Sequence, residues 1–281
     1  MRNNADRLGA RPSAEPPTPQ MANPMDFVTP KEFVELPSAG KMYPQGHPLC
    51  DEETIEIRYM TAKDEDILTS RSLLKKGLAI ERLIDNLIVD KGIRASDLLV
   101  GDRNAILIAA RASAYGHMYE TKVNCPACGK TSKLNFNLLE PTISPGGTCD
   151  EEYNVTQNDN GNYVLELPFS KLIVEIKMLT GREEILMVQS AQKKSKKEVE
   201  IEDNLTGQMK YFIVSINGYT DTKTIDYVVE NITAKETRYL RNAYKQLSPN
   251  LQVMKHFECT SCDHEQEMEV PFNADFFWPD R

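Results

Sequence analysis

Four cysteines in two Cys-x-x-Cys turns, Cys125-Pro126-Ala127-Cys128 and Cys259-Thr260-Ser261-Cys262, carry the clearest chemistry in the chain. Such a turn points two sulfurs inward from one tight loop, and two turns supply the four soft ligands that tetrahedral zinc prefers. The pairs predict one structural zinc site built from Cys125, Cys128, Cys259 and Cys262. Nearly half of the chain lies between them, so the metal would join distant segments rather than fold one small loop. Strand-like residues 119–124 and 133–138 bracket the first pair, and residues 253–258 and 265–272 bracket the second. Each pair is therefore expected at the tip of a β-hairpin, as in a zinc knuckle. Thiol–disulfide exchange would instead set the first cysteine at the start of a helix after a strand, which neither pair has. His264 is a substitute ligand on paper, but its place in the turn reads as an exposed histidine. Cys50 and Cys149 have no near partner and read as free thiols.

No other motif competes. The sequence holds no Gly-rich phosphate loop, no His-Glu-x-x-His helix and no nucleophile elbow. Asp64, Glu65 and Asp66, like Glu183 and Glu184, fall in the first turn of expected helices, where carboxylates complement the helix dipole rather than form a catalytic pair. A four-thiolate zinc also keeps no open position for water. The expectation is a non-enzyme with no small-molecule substrate.

At 281 residues, 40% hydrophobic and 27% charged, the chain can build one large or two small cores. Its longest apolar run, residues 105–110, is too short to span a bilayer, and the N-terminus lacks a signal-peptide core. A cytoplasmic setting in the host cell follows, with thiols kept reduced. The formal net charge of −9 makes nucleic acid an unsuitable partner. The one basic run, residues 193–197, passes straight into Glu198 and Glu200 and reads as a solvated loop between helices.

The elements that must position the cysteines recur. Residues 1–32 are Pro-rich with few large apolar residues and are expected to form a disordered arm. From Phe33 an extended stretch leads to an alternating strand over Thr54 to Tyr59, and Thr61 to Asp64 forms a capping box that starts a helix at Ala62. Helices are expected over residues 78–89 and 102–115, followed by the first hairpin. After a Pro- and Gly-rich linker over 139–162 the order begins again. Leu165-Glu166-Leu167-Pro168 answers Val34-Glu35-Leu36-Pro37, the strand from Ile173 answers that from Thr54, and Thr180 to Glu183 answers Thr61 to Asp64. A helix over Met209 to Ile216 and another capped by Thr233 and running to Leu247 match those of the first half. The fold class expected is α+β: two tandem repeats of strand, helices and β-hairpin, 33–138 with its knuckle at 125–128 and 163–272 with its knuckle at 259–262, joined by a zinc-ribbon-like four-cysteine site. A tail over 273–281 carries Phe276, Phe277 and Trp278, which either close the protein's own core or anchor a partner. Partner binding is the expectation taken, because Pro279, Asp280 and Arg281 end the chain as an exposed peptide.

The stretches Leu36 to Pro44, Met60 to Leu68 and Phe276 to Pro279 resemble the T4-type baseplate hub protein family of contractile-tailed bacteriophages, over residues 33–281. The resemblance implies a structural or assembly component of the tail baseplate. It would contact other baseplate or hub proteins in the infected bacterium, and then in the virion tail. These motifs are structural and transfer no active site. A zinc-ribbon regulator of nucleic acid or the transcription apparatus is the alternative, with the acidic charge against it.

Overall fold

Alternation of Phe33, Val34 and Glu35 against Ile55, Glu56 and Ile57 pairs the first two strands, β1 (Lys31–Glu35) and β2 (Thr54–Arg58), antiparallel with Val34 opposite Ile55. The computed structural model describes residues 28–194, 206–270 and 274–277. It divides the chain into residues 1–30 and 31–281, and the elements below belong to the second unit. The expected disordered arm falls, for residues 1–27, outside the described residues, and β1 begins inside its last two positions.

After β2 come α1 (Ala62–Thr69), α2 (Arg71–Lys76), α3 (Ala79–Leu87) and α4 (Val100–Tyr115), then the hairpin of β3 (Met118–Asn124) and β4 (Thr131–Asn137). Short strands β5 (Thr142–Ser144) and β6 (Thr156–Gln157) lead to β7 (Tyr163–Glu166) and β8 (Ile173–Ile176). The chain continues through α5 (Gly181–Lys194), α6 (Thr206–Phe212), β9 (Ile213–Ile216), α7 (Thr222–Asn231) and α8 (Ala234–Leu247). It closes with β10 (Asn250–Gln252) and the hairpin of β11 (Met254–Glu258) and β12 (Glu265–Glu269), followed by a 3-10 turn over Ala274–Phe277. The class is α+β.

Local chemistry accounts for the strand-to-helix corners. Thr61 donates through its amide and hydroxyl to Asp64, 2.9 and 2.8 Å, while the Arg58 guanidinium grips the same carboxylate at 2.6 and 2.9 Å. Burial works to raise the Asp64 pKa, but the Arg58 and Thr61 donors outweigh it and hold the carboxyl down at about 2. The second corner repeats the device: Thr180 donates to Glu183 through amide and hydroxyl, and Lys177 pairs with it at 2.7 Å.

Two differences from the expected elements have one cause. The helix expected over Met209 to Ile216 stops at Phe212, and Ile213-Val214-Ser215-Ile216 forms β9 on the edge of β8, with Val174 opposite Ile216. In the first half α3 stops at Leu87 and Ile88 bridges to Ile57. In both places β-branched residues gain a sheet neighbour that the helix could not give. α7, capped by the Asp221 side chain on the Thr224 amide at 2.9 Å, was not anticipated.

Among the described residues two large buried clusters form the core, with a smaller one around Cys125, Phe257 and Cys259. One gathers β1, β2, α3 and α4 through Val34, Ile57, Leu83, Ile84, Leu87 and Ile106, and the other gathers β7 to β9 with α7 and α8 through Leu165, Val174, Ile176, Ile213 and Leu240. Leu251, Val253 and Val270, which lead into and out of the second hairpin, pack in the first cluster. The segment expected as a linker takes part as well, because β5 pairs with β10, Ile143 opposite Leu251, and β6 joins the sheet β6-β7-β8-β9.

The halves meet along a polar seam. Val100 donates its amide to the Leu179 carbonyl, and Gly181 donates to Leu98. Arg103, 4% exposed, reaches Glu184 at 2.7 Å and Glu81 at 3.4 Å. Gly181 lies so close that a Cβ there would sit 2.6 Å from the Ala95 carbonyl oxygen. Among the described residues no helix is long and apolar enough to cross a membrane.

Candidate metal centre

Each cysteine pair sits at the end of an antiparallel hairpin, β3 with β4 in register from Met118–Asn137 to Asn124–Thr131, and β11 with β12 from Met254–Glu269 to Glu258–Glu265. The two turns close alike. Cys125 donates its amide to the Lys130 carbonyl and accepts from the Gly129 amide, at 2.9 and 2.8 Å. Cys259 donates to His264 and accepts from Asp263, at 2.9 and 3.1 Å. The fifth position of each turn is left-handed, Gly129 at φ 72° and Asp263 at φ 51°. Glycine adopts that conformation without strain, and aspartate is among the few other residues that tolerate it.

The fold brings all four sulfurs together, every pair within 4.8 Å. Cys125 Sγ lies 3.7 Å from Cys262 Sγ, and Cys128 Sγ lies 3.7 Å from Cys259 Sγ. A disulfide needs about 2.05 Å, so these are not bonded pairs. Tetrahedral zinc with bonds of about 2.3 Å sets its sulfur ligands about 3.8 Å apart, and the two cross-hairpin distances match that edge. The residues therefore fit the group: each hairpin offers two sulfurs, and both 3.7 Å approaches run between the hairpins.

Burial and electrostatics agree with that geometry. Cys125 and Cys259 are 1% and 0% exposed and pack with Phe257, Val123, Leu134 and Met268, while Cys128 and Cys262 face outward. Amides of Ser261 and Cys262 aimed at the Cys259 sulfur draw its pKa to about 6, which favours thiolate. The His264 amide pulls Cys262 the same way, but the Cys128, Cys125 and Cys259 sulfurs and burial push it to about 12. Four thiols this close cannot all ionise unless a cation offsets their charge. Lys130 Nζ donates to Ser261 Oγ at 2.5 Å and ties the rims of the turns together. His264 turns away toward Gln266 Oε1, 3.3 Å. Cys50 and Cys149 lie outside the cluster.

The aromatic tail corrects one expectation. Phe276 and Phe277, expected as partner anchors, are 1% and 2% exposed inside the first core cluster. The Phe276 ring meets Tyr119 edge-on at 5.1 Å and Phe277 at 5.2 Å, and Arg111 Nε donates to the Phe276 carbonyl at 2.7 Å. Large aromatic rings gain most when fully buried, and Tyr119 gives Phe276 an edge-on partner inside this cluster. Trp278 lies outside the described residues, as do residues 195–197 of the expected basic run.

Sequence reasoning missed how each half ties its first turn to its last helix. Ser38, just after Leu36-Pro37, donates amide and hydroxyl to Asp102, the third residue of α4, at 3.0 and 2.7 Å. Ser170, two positions after Pro168, donates amide and hydroxyl to Glu236, the third residue of α8, both at 2.7 Å. Both carboxylates are buried, at 0% and 1% exposure. The signal was present as a serine one or two positions after each Leu-Pro and an acid at the third position of each final helix.

A family model described as T4 bacteriophage base plate protein matches residues 29–278, nearly the whole described body. Neither a curated protein nor a solved structure matches the chain.

Proposed function

The chain belongs to the T4 bacteriophage base plate protein family, and from that premise we propose that it is a structural or assembly component of the baseplate hub of a contractile tail. The match across residues 29–278 is the observation that carries the reading. The protein acts through contacts with other baseplate proteins, assembling in the host cytoplasm and ending in the virion tail, and it catalyses no reaction. Mass spectrometry of purified virions and of tail assembly intermediates tests this. A stoichiometric presence in either supports the proposal, and absence from both refutes it.

Within that role we assign Cys125, Cys128, Cys259 and Cys262 to one structural zinc. When bound, the ion supplies charge neutralisation and a covalent-like tie between the hairpins. The chain's own contribution is to present two sulfurs per hairpin, to aim the Ser261 and Cys262 amides at Cys259, and to shield Cys125 and Cys259 from water. Four sulfur ligands complete a tetrahedron, so the site holds shape and does no Lewis-acid chemistry. Elemental analysis of protein purified without chelator should give one zinc per chain, and a zinc-free folded protein would contradict the assignment.

The two halves are proposed as a duplication, 33–138 and 163–272, with the segment 139–162 between them. Three paired devices support it: the corners Arg58-Thr61-Asp64 and Lys177-Thr180-Glu183, the tethers Ser38–Asp102 and Ser170–Glu236, and the two cysteine turns with matching hydrogen bonds. Zinc shared between equivalent hairpins then explains why the two cysteine pairs stand so far apart in sequence.

A further inference from the structure

A groove of about 540 Å³ opens between β1, α4 and the segment that follows β4. Its floor is the small-residue side of α4, where Ala105, Ala109 and Ala112 let another backbone come close. Its walls carry Phe33, Leu139 and Ile143, which are 72%, 66% and 44% exposed. Large apolar side chains gathered around one opening on an otherwise acidic protein mark a contact surface rather than scattered exposure. Among the described residues β1 pairs only with β2, so its other side has no strand neighbour.

Charge indicates what fills the groove. Glu32 lines it, and among the described residues its Oε1 is shielded from solvent with no hydrogen-bond partner. A carboxylate oxygen cut off from water without a donor is costly, and a cation brought by an occupant would relieve it. Glu35 adds a second carboxylate to the same lining. A twofold pairing of this chain through the groove would bring the Glu32 and Glu35 side chains of two copies together, on a protein already at −9.

We propose that this groove docks an apolar segment of a neighbouring baseplate protein that presents a lysine or arginine to Glu32. The partner class rests on the baseplate reading, whereas the groove chemistry stands on the residues named. In helix-in-groove and strand-addition recognition alike, the large side chains of such a segment provide affinity and the charge fixes register.

The test uses the full chain with p-benzoylphenylalanine introduced at Leu139 and produced during infection, with cross-linked peptides sequenced from purified baseplates. The expected product joins position 139 to one segment of a different baseplate protein in which large apolar residues flank a lysine or arginine. Glu32→Lys should lower its yield at least about thirtyfold, the range for opposing a buried charge pair, and Glu32→Gln by less. Ile143→Lys, on the exposed wall, provides a second perturbation should Glu32→Lys unfold the protein, and it should lower the yield as well. A cross-link within the same chain, to a second copy or to an acidic segment overturns the proposal, as does a yield unmoved by the variants that fold. If the chain is present in baseplates but gives no such product, the groove proposal alone fails. If the chain is absent from them, the baseplate reading fails and takes this one with it.

Discussion

Replacing Cys259 by serine, alone and together with Cys125→Ser, separates one shared metal site from two independent turns. Cys128 and Cys259 are 131 positions apart in sequence, and their sulfurs lie 3.7 Å apart. A tie that closes a loop of this length restricts the unfolded chain by about 5 kcal/mol in the chain-entropy treatment of cross-links. A protein of this size shifts its melting temperature by about 2–4 °C per kcal/mol, so losing the tie should lower Tm by roughly 10 to 20 °C. Because Cys125 and Cys259 belong to one tetrahedron in the proposed site, either single change opens it, and the double change should add less than about 1 kcal/mol to the larger single effect. The assay is thermal unfolding followed by circular dichroism, with zinc content measured on each variant and a chelator titrated into the wild type. Chelation should bring the wild type to the Tm of the single variants and leave those variants unmoved. Additive losses in the double variant would falsify the shared site, and a wild type indifferent to chelation would remove zinc from the account altogether.

Other expectations follow from the corners, the seam and the tail. Asp64→Asn should lower stability at neutral pH by about 2 kcal/mol, since its folded pKa of about 2 lies below the unfolded value near 3.9. That stabilisation is fully present above about pH 4 and is lost as pH falls through about 2. Acid unfolding curves of wild type and variant should therefore converge in that window, and parallel curves would show that Asp64 is not the titrating group. Gly181→Ala places a Cβ 2.6 Å from the Ala95 carbonyl oxygen and should cost about 1–3 kcal/mol by denaturant unfolding. An unchanged midpoint would mean that the seam relaxes freely. Phe276→Ala removes a ring that is 1% exposed and should cost about 3–5 kcal/mol. Full stability in that variant would return the tail to the role of a partner anchor.

Local chemistry was legible in the sequence because its partners lie within a few residues. The Thr61 and Thr180 corners, the start of α1 at Ala62, the Thr233 cap of α8 and the two cysteine hairpins all depend on contacts between near neighbours along the chain. The bringing together of Cys125, Cys128, Cys259 and Cys262 was also anticipated, since four soft ligands in two matched turns have few other uses. What local pattern could not decide was where long-range partners lie. Ile213 to Ile216 has the apolar content of a buried helix, and only the free edge of β8 makes it a strand. Phe276 and Phe277 look like exposed anchors until Tyr119 and Arg111 supply a place inside the core. Val253 and Val270 belong by sequence to the second half but pack in the first, because the paired hairpins bring their bases onto that cluster. Arg103 reads as an ordinary helix arginine, and its burial between Glu81 and Glu184 exists only because Gly181 allows the halves to approach. Residues 139–162 read as a linker because Pro and Gly act locally, yet Ile143 finds Leu251 across the fold. Short-range hydrogen bonds are thus written in neighbouring residue types. Burial and sheet pairing depend on which surfaces meet, and only the folded chain settles that.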